Sequence, residues 1–109
     1  MSVLKLSDAT FEDSVLKSGR AAMVDVWAPW CGPCNALGPV VEELAGEYGG
    51  RVVFGKLSTD ENLEVARRFH VAAIPTLLFF KGGRLLSRLV GAQTKDAVRD
   101  RLEQTLAAA

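Results

Sequence analysis

The chain has 109 residues, 49% of them hydrophobic and 24% charged, with 13 basic and 13 acidic side chains. That size fits one domain with a single apolar core, so residues 1–109 are read as one domain. A formal net charge of zero offers no basic footprint for nucleic acid or an anionic membrane surface, and no apolar run approaches the roughly 20 residues that span a bilayer.

Met1 to Asp8 lacks the basic start and apolar stretch of a signal peptide. The expected location is therefore cytoplasmic, and nothing in the sequence asks for more than a monomer. Val3 to Leu6 suits a short first strand. Thr10, with Asp13 three residues on, reads as the start of a helix; Phe11, Val15 and Leu16 form its inner face and Gly19 stops it. Ala21 to Ala28 is almost continuously apolar, the mark of a strand buried on both faces, and Asp25 is its one interruption. After two cysteines comes a long helical stripe of Leu37, Val40, Val41, Leu44, Ala45 and Tyr48. Pro39 inside that stripe predicts a kink, and Gly49-Gly50 an end. Arg51 to Leu57 reads as a second buried strand. Asn62 to Phe69 reads as a short helix capped by Thr59 or Asp60, with His70 exposed at its end in favourable contact with the helix dipole. Thr76–Lys81 and Arg84–Val90 flank Gly82-Gly83, a hairpin signal. Thr94 caps a last helix with Val98, Leu102 and Leu106 inside. The order β-α-β-α-β-α-β-β-α predicts an α/β fold, a central mixed sheet of about five strands with helices on both faces. Sites in such sheets form beyond the carboxyl ends of the strands, where the cysteines lie.

Cys31 and Cys34 are the only cysteines. A staple closing so small a loop would contribute little stability. Half a zinc site is the other reading, but a closed site takes four ligands and the chain adds only His70 to the pair, which leaves a zinc bridged between two chains. Redox chemistry fits better. At the start of a helix, the dipole and unpaired N–H groups favour a thiolate on Cys31 and leave it exposed. Cys34, three residues on, lies on the same face below it. Cys31 is then the thiol that attacks a substrate disulfide, and Cys34 the one that resolves the mixed disulfide. Helical residues at this spacing have Cβ atoms about 5–6 Å apart, against about 3.8 Å in a disulfide, so the oxidised pair is expected to tighten the first turn. Pro33 suits that turn and Gly32 leaves room for a partner's backbone. Asp25, costly inside a buried strand, is expected to have a raised pKa and to move protons; the plainer readings place it in solvent at a strand end or in an ion pair with Lys56. Trp30 is expected to be partly exposed beside Cys31, and Trp27 to pack under the site. Pro75, read from the residues alone, is trans.

Val24 to Cys34, with the sequence VDVWAPWCGPC, resembles the thioredoxin family, and the likeness extends over essentially the whole chain through Ile74-Pro75-Thr76 and Val90-Gly91-Ala92. The resemblance implies a thioredoxin fold and a general protein-disulfide reductase. It implies re-reduction by a thioredoxin reductase, either an NADPH-dependent flavoprotein or a ferredoxin-dependent enzyme. Disulfide-containing proteins would be the substrates, and no cofactor or metal is expected on this chain. Cys31 matches the nucleophile and Cys34 the resolving cysteine. Asp25 matches a buried acid that exchanges protons with Cys34, Lys56 a lysine near it, and Pro75 a cis-proline facing the disulfide. Trp30, Ile74, Pro75, Gly91 and Ala92 match the rim that grips partners. Asn35 replaces the family's usual basic residue, which removes a positive charge near Cys31, and Ala73 stands where glycine or serine is usual; both bear on partner preference. The competing readings are an oxidase or isomerase module on the same fold, and a non-catalytic subunit docking through the rim.

Overall fold

A computed structural model describes residues 3–109; Met1 and Ser2 lie outside the described residues. The chain runs β1 (Leu4–Lys5), α1 (Asp8–Phe11, continued by a π-helical turn over Glu12–Leu16), β2 (Ala21–Trp27), α2 (Gly32–Tyr48), β3 (Val52–Ser58), α3 (Glu64–Arg68), β4 (Thr76–Lys81), β5 (Arg84–Val90) and α4 (Lys95–Ala107). The element order is the one expected. The five strands form one mixed sheet in the order β1-β3-β2-β4-β5. β1, β3 and β2 are parallel, β4 runs antiparallel to β2, and β5 antiparallel to β4.

Alternation along the strands sorts the core into two halves. Ala21, Met23, Leu77 and Phe79 pack with Leu37, Val41, Leu44, Val98 and Leu102, so α2 and α4 cover one face. Ala22, Val24, Val26, Leu78 and Phe80 pack with Phe11, Val15 and Val65, so α1 and α3 cover the other. By the same alternation Asp25 belongs to the α2 side. The predicted α2 stripe is buried except Val40, which is half-buried. Pro39 does not end the helix, which remains one element of 17 residues.

Two predicted caps are wrong. Ser7, not Thr10, opens α1: its hydroxyl accepts from Thr10 N at 3.2 Å while the Thr10 hydroxyl accepts from Ser7 N at 3.0 Å. Thr10 takes the reciprocal role usually filled by Glu or Gln in a capping box. Neither Thr59 nor Asp60 caps α3, which is shorter than predicted. Its first N–H groups are satisfied from another element, for the Asp8 carboxylate accepts from Glu64 N at 3.1 Å and Val65 N at 3.0 Å. Asn62 Oδ1 in turn accepts from Asp8 N at 2.9 Å. Thr94 does cap α4, accepting from Ala97 N at 3.1 Å. Gly82 and Gly83 sit at φ +61° and +79°, as a two-residue I′ turn requires.

Candidate active site

β2 ends at Trp27 and the chain turns through Ala28, Pro29 and Trp30 into α2. Cys31 is the N-cap of α2, with extended backbone at φ −90° and ψ 110°, and its sulfur accepts from Cys34 N at 3.2 Å. Cys31 and Cys34 are disulfide-bonded, their Cα atoms 5.2 Å apart. The bridge does not close by tightening a helical turn as expected, because only Cys34 is helical. Cys31 is also less exposed than expected. It is 6% accessible and packs with Ala28 and Cys34, covered by Trp27 and Ile74. An N-cap residue sits against the loop that enters the helix, and here that loop folds over it. Gly32 and Pro33 are exposed, with open space around Gly32.

Asp25 is 4% accessible and its Oδ1 has no hydrogen-bond partner. Burial pushes its carboxyl up to about 7, against the pull of the Lys56 ammonium. Both plainer readings of Asp25 fail: it is not in solvent, and no ion pair joins it to Lys56 among the described residues. Lys56 is nonetheless its register partner on β3. The Lys56 Nζ lies over the Trp27 ring, 4.9 Å from its centroid, a cation–π contact that leaves the charge free to act on Asp25 through space.

Of the predicted rim, Ile74 is the residue that packs on the pair. The Ile74–Pro75 peptide is cis, as the resemblance implies and the residues alone do not. Gly91, at φ +85°, donates its N–H to the Pro75 carbonyl at 2.8 Å. That bond holds the end of β5 against the cis-proline, with Ala92 exposed beyond it. Trp30 is 71% accessible and Val90, at the same rim, 52%. His70 lies just past the end of α3 and is exposed, as expected; it sits at φ +55°.

Sequence reasoning misses two supporting residues. Asp60 accepts a hydrogen bond from the Trp30 indole N–H at 2.9 Å and so orients the exposed ring. Asn35 donates to the Pro29 carbonyl at 3.0 Å, tying the loop to the first turn of α2. Reading Asp60 as the α3 cap suits its residue type and conceals its real use. Among the described residues, no three His, Cys, Asp or Glu side chains come together as a metal site, and no helix is long and apolar enough to cross a membrane.

A disulfide at the N-terminus of a helix, above a buried acid in a central strand, defines a thiol-disulfide oxidoreductase of the α/β class. The comparisons agree. The thioredoxin family profile matches residues 2–104. The chain is 45% identical over 102 residues to thioredoxin of Synechocystis sp., covering 94% of this chain and 95% of that one. It is 44% identical over 98 residues to thioredoxin 2 of Chlorobaculum tepidum, covering 90% of each. Against the M-type chloroplastic thioredoxin of Spinacia oleracea it is 42% identical over 104 residues, 95% of this chain and 58% of that one. The chain belongs to the thioredoxin family and has the thioredoxin fold, and its cysteine pair supports disulfide reductase activity.

Proposed function

We propose that this protein is a general reductant of protein disulfides, acting as a monomeric, cofactor-free domain over residues 1–109 in the cytoplasm. The observation that carries the reading is the Cys31–Cys34 disulfide at the N-terminus of α2, on the sheet face that holds the buried Asp25. The Cys31 thiolate, favoured by the helix terminus, attacks one sulfur of a substrate disulfide. It forms a mixed disulfide and expels the other substrate sulfur as a thiolate. Cys34 then gives its proton to Asp25 and attacks the Cys31 sulfur. The second substrate thiolate leaves, and two electrons have passed to the substrate. Lys56 tunes the acidity of Asp25, and the proton returns to solvent from the carboxyl.

Trp30, Gly32, Pro33, Ile74, Pro75, Gly91 and Ala92 form the surface that holds the partner chain. The exposed indole offers apolar area, and Gly32 and Pro33 leave space for a partner backbone. A thioredoxin reductase returns the electrons, drawing them from NADPH through a flavin or from ferredoxin. The test is insulin reduction with NADPH and a thioredoxin reductase. Turnover that depends on both cysteines is expected, and a folded chain without turnover would overturn the reading.

A further inference from the structure

Where β2 runs out into the turn before α2 lies a cavity of about 290 Å³, lined by Lys5, Trp27, Pro29, Lys56, Ser58 and Asn62, with Glu61 also at its wall. The volume is near the lower end of small-molecule sites. Its charge arrangement is unusual. Lys5 and Lys56 are register partners on adjacent parallel strands, and Lys56 is in turn the partner of Asp25. Two like charges are thus placed directly opposite each other, a destabilising arrangement on a sheet. Neither lysine has an ion pair among the described residues. Ser58, 8% accessible, accepts from Asp60 N at 3.3 Å, and its hydroxyl makes no hydrogen bond as a donor among the described residues. The cavity therefore offers two ammonium groups that make no ion pair among the described residues, a buried hydroxyl with a proton to donate and the Trp27 indole, with the Glu61 carboxylate as the one acidic group at its wall.

We propose that this cavity binds a small organic anion, its carboxylate or phosphate head between Lys5 and Lys56 and its apolar body against Trp27, and that occupancy hinders proton release by Asp25. The head group neutralises the pair that the sheet holds together. In doing so it cancels the one cationic field acting on Asp25. Lys56 supplies that field from β3, Lys5 stands one strand further off, and the β4 partner of Asp25 is the apolar Leu77. From α2 the only titratable groups near the site are the two cysteines, which do not titrate in the disulfide form. With the field cancelled, burial acts on the carboxyl unopposed and its pKa rises. By linkage, the anion binds more tightly when Asp25 is protonated. Binding itself is independent of the proposed catalytic roles; the regulatory consequence rests on Asp25 serving Cys34.

The experiment is a ¹⁵N NMR titration of the oxidised full chain with sodium sulfate and, separately, sodium acetate, against sodium chloride at equal ionic strength. Saturable shifts of the Ser58 amide and the Trp27 indole are expected with sulfate or acetate, and whichever saturates first identifies the preferred head group. Chloride should give no saturation. Lys5→Gln should lose saturation while insulin reduction without added oxyanion is unchanged. The Asp25 side-chain ¹³C signal, followed against pH, should show its midpoint moved upward at saturating sulfate. Equal responses to chloride, undiminished binding by Lys5→Gln, or an unmoved Asp25 midpoint in the saturated protein would each overturn the proposal. Because these readouts need no turnover, failure here is distinguishable from failure of the reductase reading.

Discussion

Replacing Asp25 by asparagine should make the oxidised protein more stable, and the gain should depend on pH. The folded carboxyl titrates near 7, raised first by burial and lowered only in part by Lys56. The unfolded chain titrates near the ordinary aspartate value of about 3.9. The folded state therefore holds the proton more tightly, and between these two values it carries more bound proton than the unfolded state. Stability contributed by the neutral carboxyl is fully present below the unfolded pKa. It is lost as pH rises through the folded pKa. A difference of about three pKa units corresponds to about 4 kcal/mol of destabilisation once both states are ionised. The side-chain amide of Asp25→Asn has no proton to lose. The variant should therefore gain little near pH 4 and on the order of 4 kcal/mol well above pH 7. Urea unfolding of both oxidised proteins from pH 4 to 8.5 reads this directly, because the other ionisable groups cancel in the difference. A stability difference that stayed constant across that range would refute the argument that a desolvated carboxylate is stored under the disulfide.

Three further outcomes follow from particular contacts. Lys56→Met removes the one cation that opposes burial, so the Asp25 midpoint should move above 7; a downward shift by ¹³C NMR would contradict the field argument. Asp8→Ala leaves the first N–H groups of α3 without their acceptor and should cost about 1 kcal/mol in urea unfolding, with Asp8→Asn recovering most of it. In Gly55→Ala, the new methyl would overlap the Leu6 side chain, which is itself buried in the α1-side core. Overpacking there should cost about 1–3 kcal/mol, and an unchanged urea midpoint would show that β1 shifts freely.

Much of this architecture is legible in the sequence because it rests on local signals. Ala21 to Trp27 and Thr76 to Lys81 are apolar on both sides and become the central strands. The Gly82-Gly83 pair meets a backbone demand that few other residues can, and Thr94 stands directly before the helix it caps. What stays hidden depends on partners far apart in the chain. No pattern near residue 64 indicates that Asp8, 56 residues earlier, caps α3. Asp60 reads as a helix cap until the fold brings Trp30 to it. The same limit applies to the site. Asp25 stands out because a carboxylate is anomalous in an apolar run, but its lack of an ion pair follows from Lys56 lying over Trp27, which only the packed structure places. Lys5 is unremarkable in sequence and becomes notable through its register with Lys56. The cis state of Pro75 is legible through the family resemblance alone.

The division of labour between the two sulfurs is the central claim, and trapping tests it most directly. Cys34→Ser and Cys31→Ser should each be reduced, mixed with a disulfide-containing protein substrate, and resolved by non-reducing mass spectrometry. Cys34→Ser should accumulate a mixed disulfide through Cys31, stable until dithiothreitol is added, while Cys31→Ser accumulates little or none. Equal trapping by both variants, or trapping through Cys34 alone, would contradict the assignment of Cys31 as the attacking thiol.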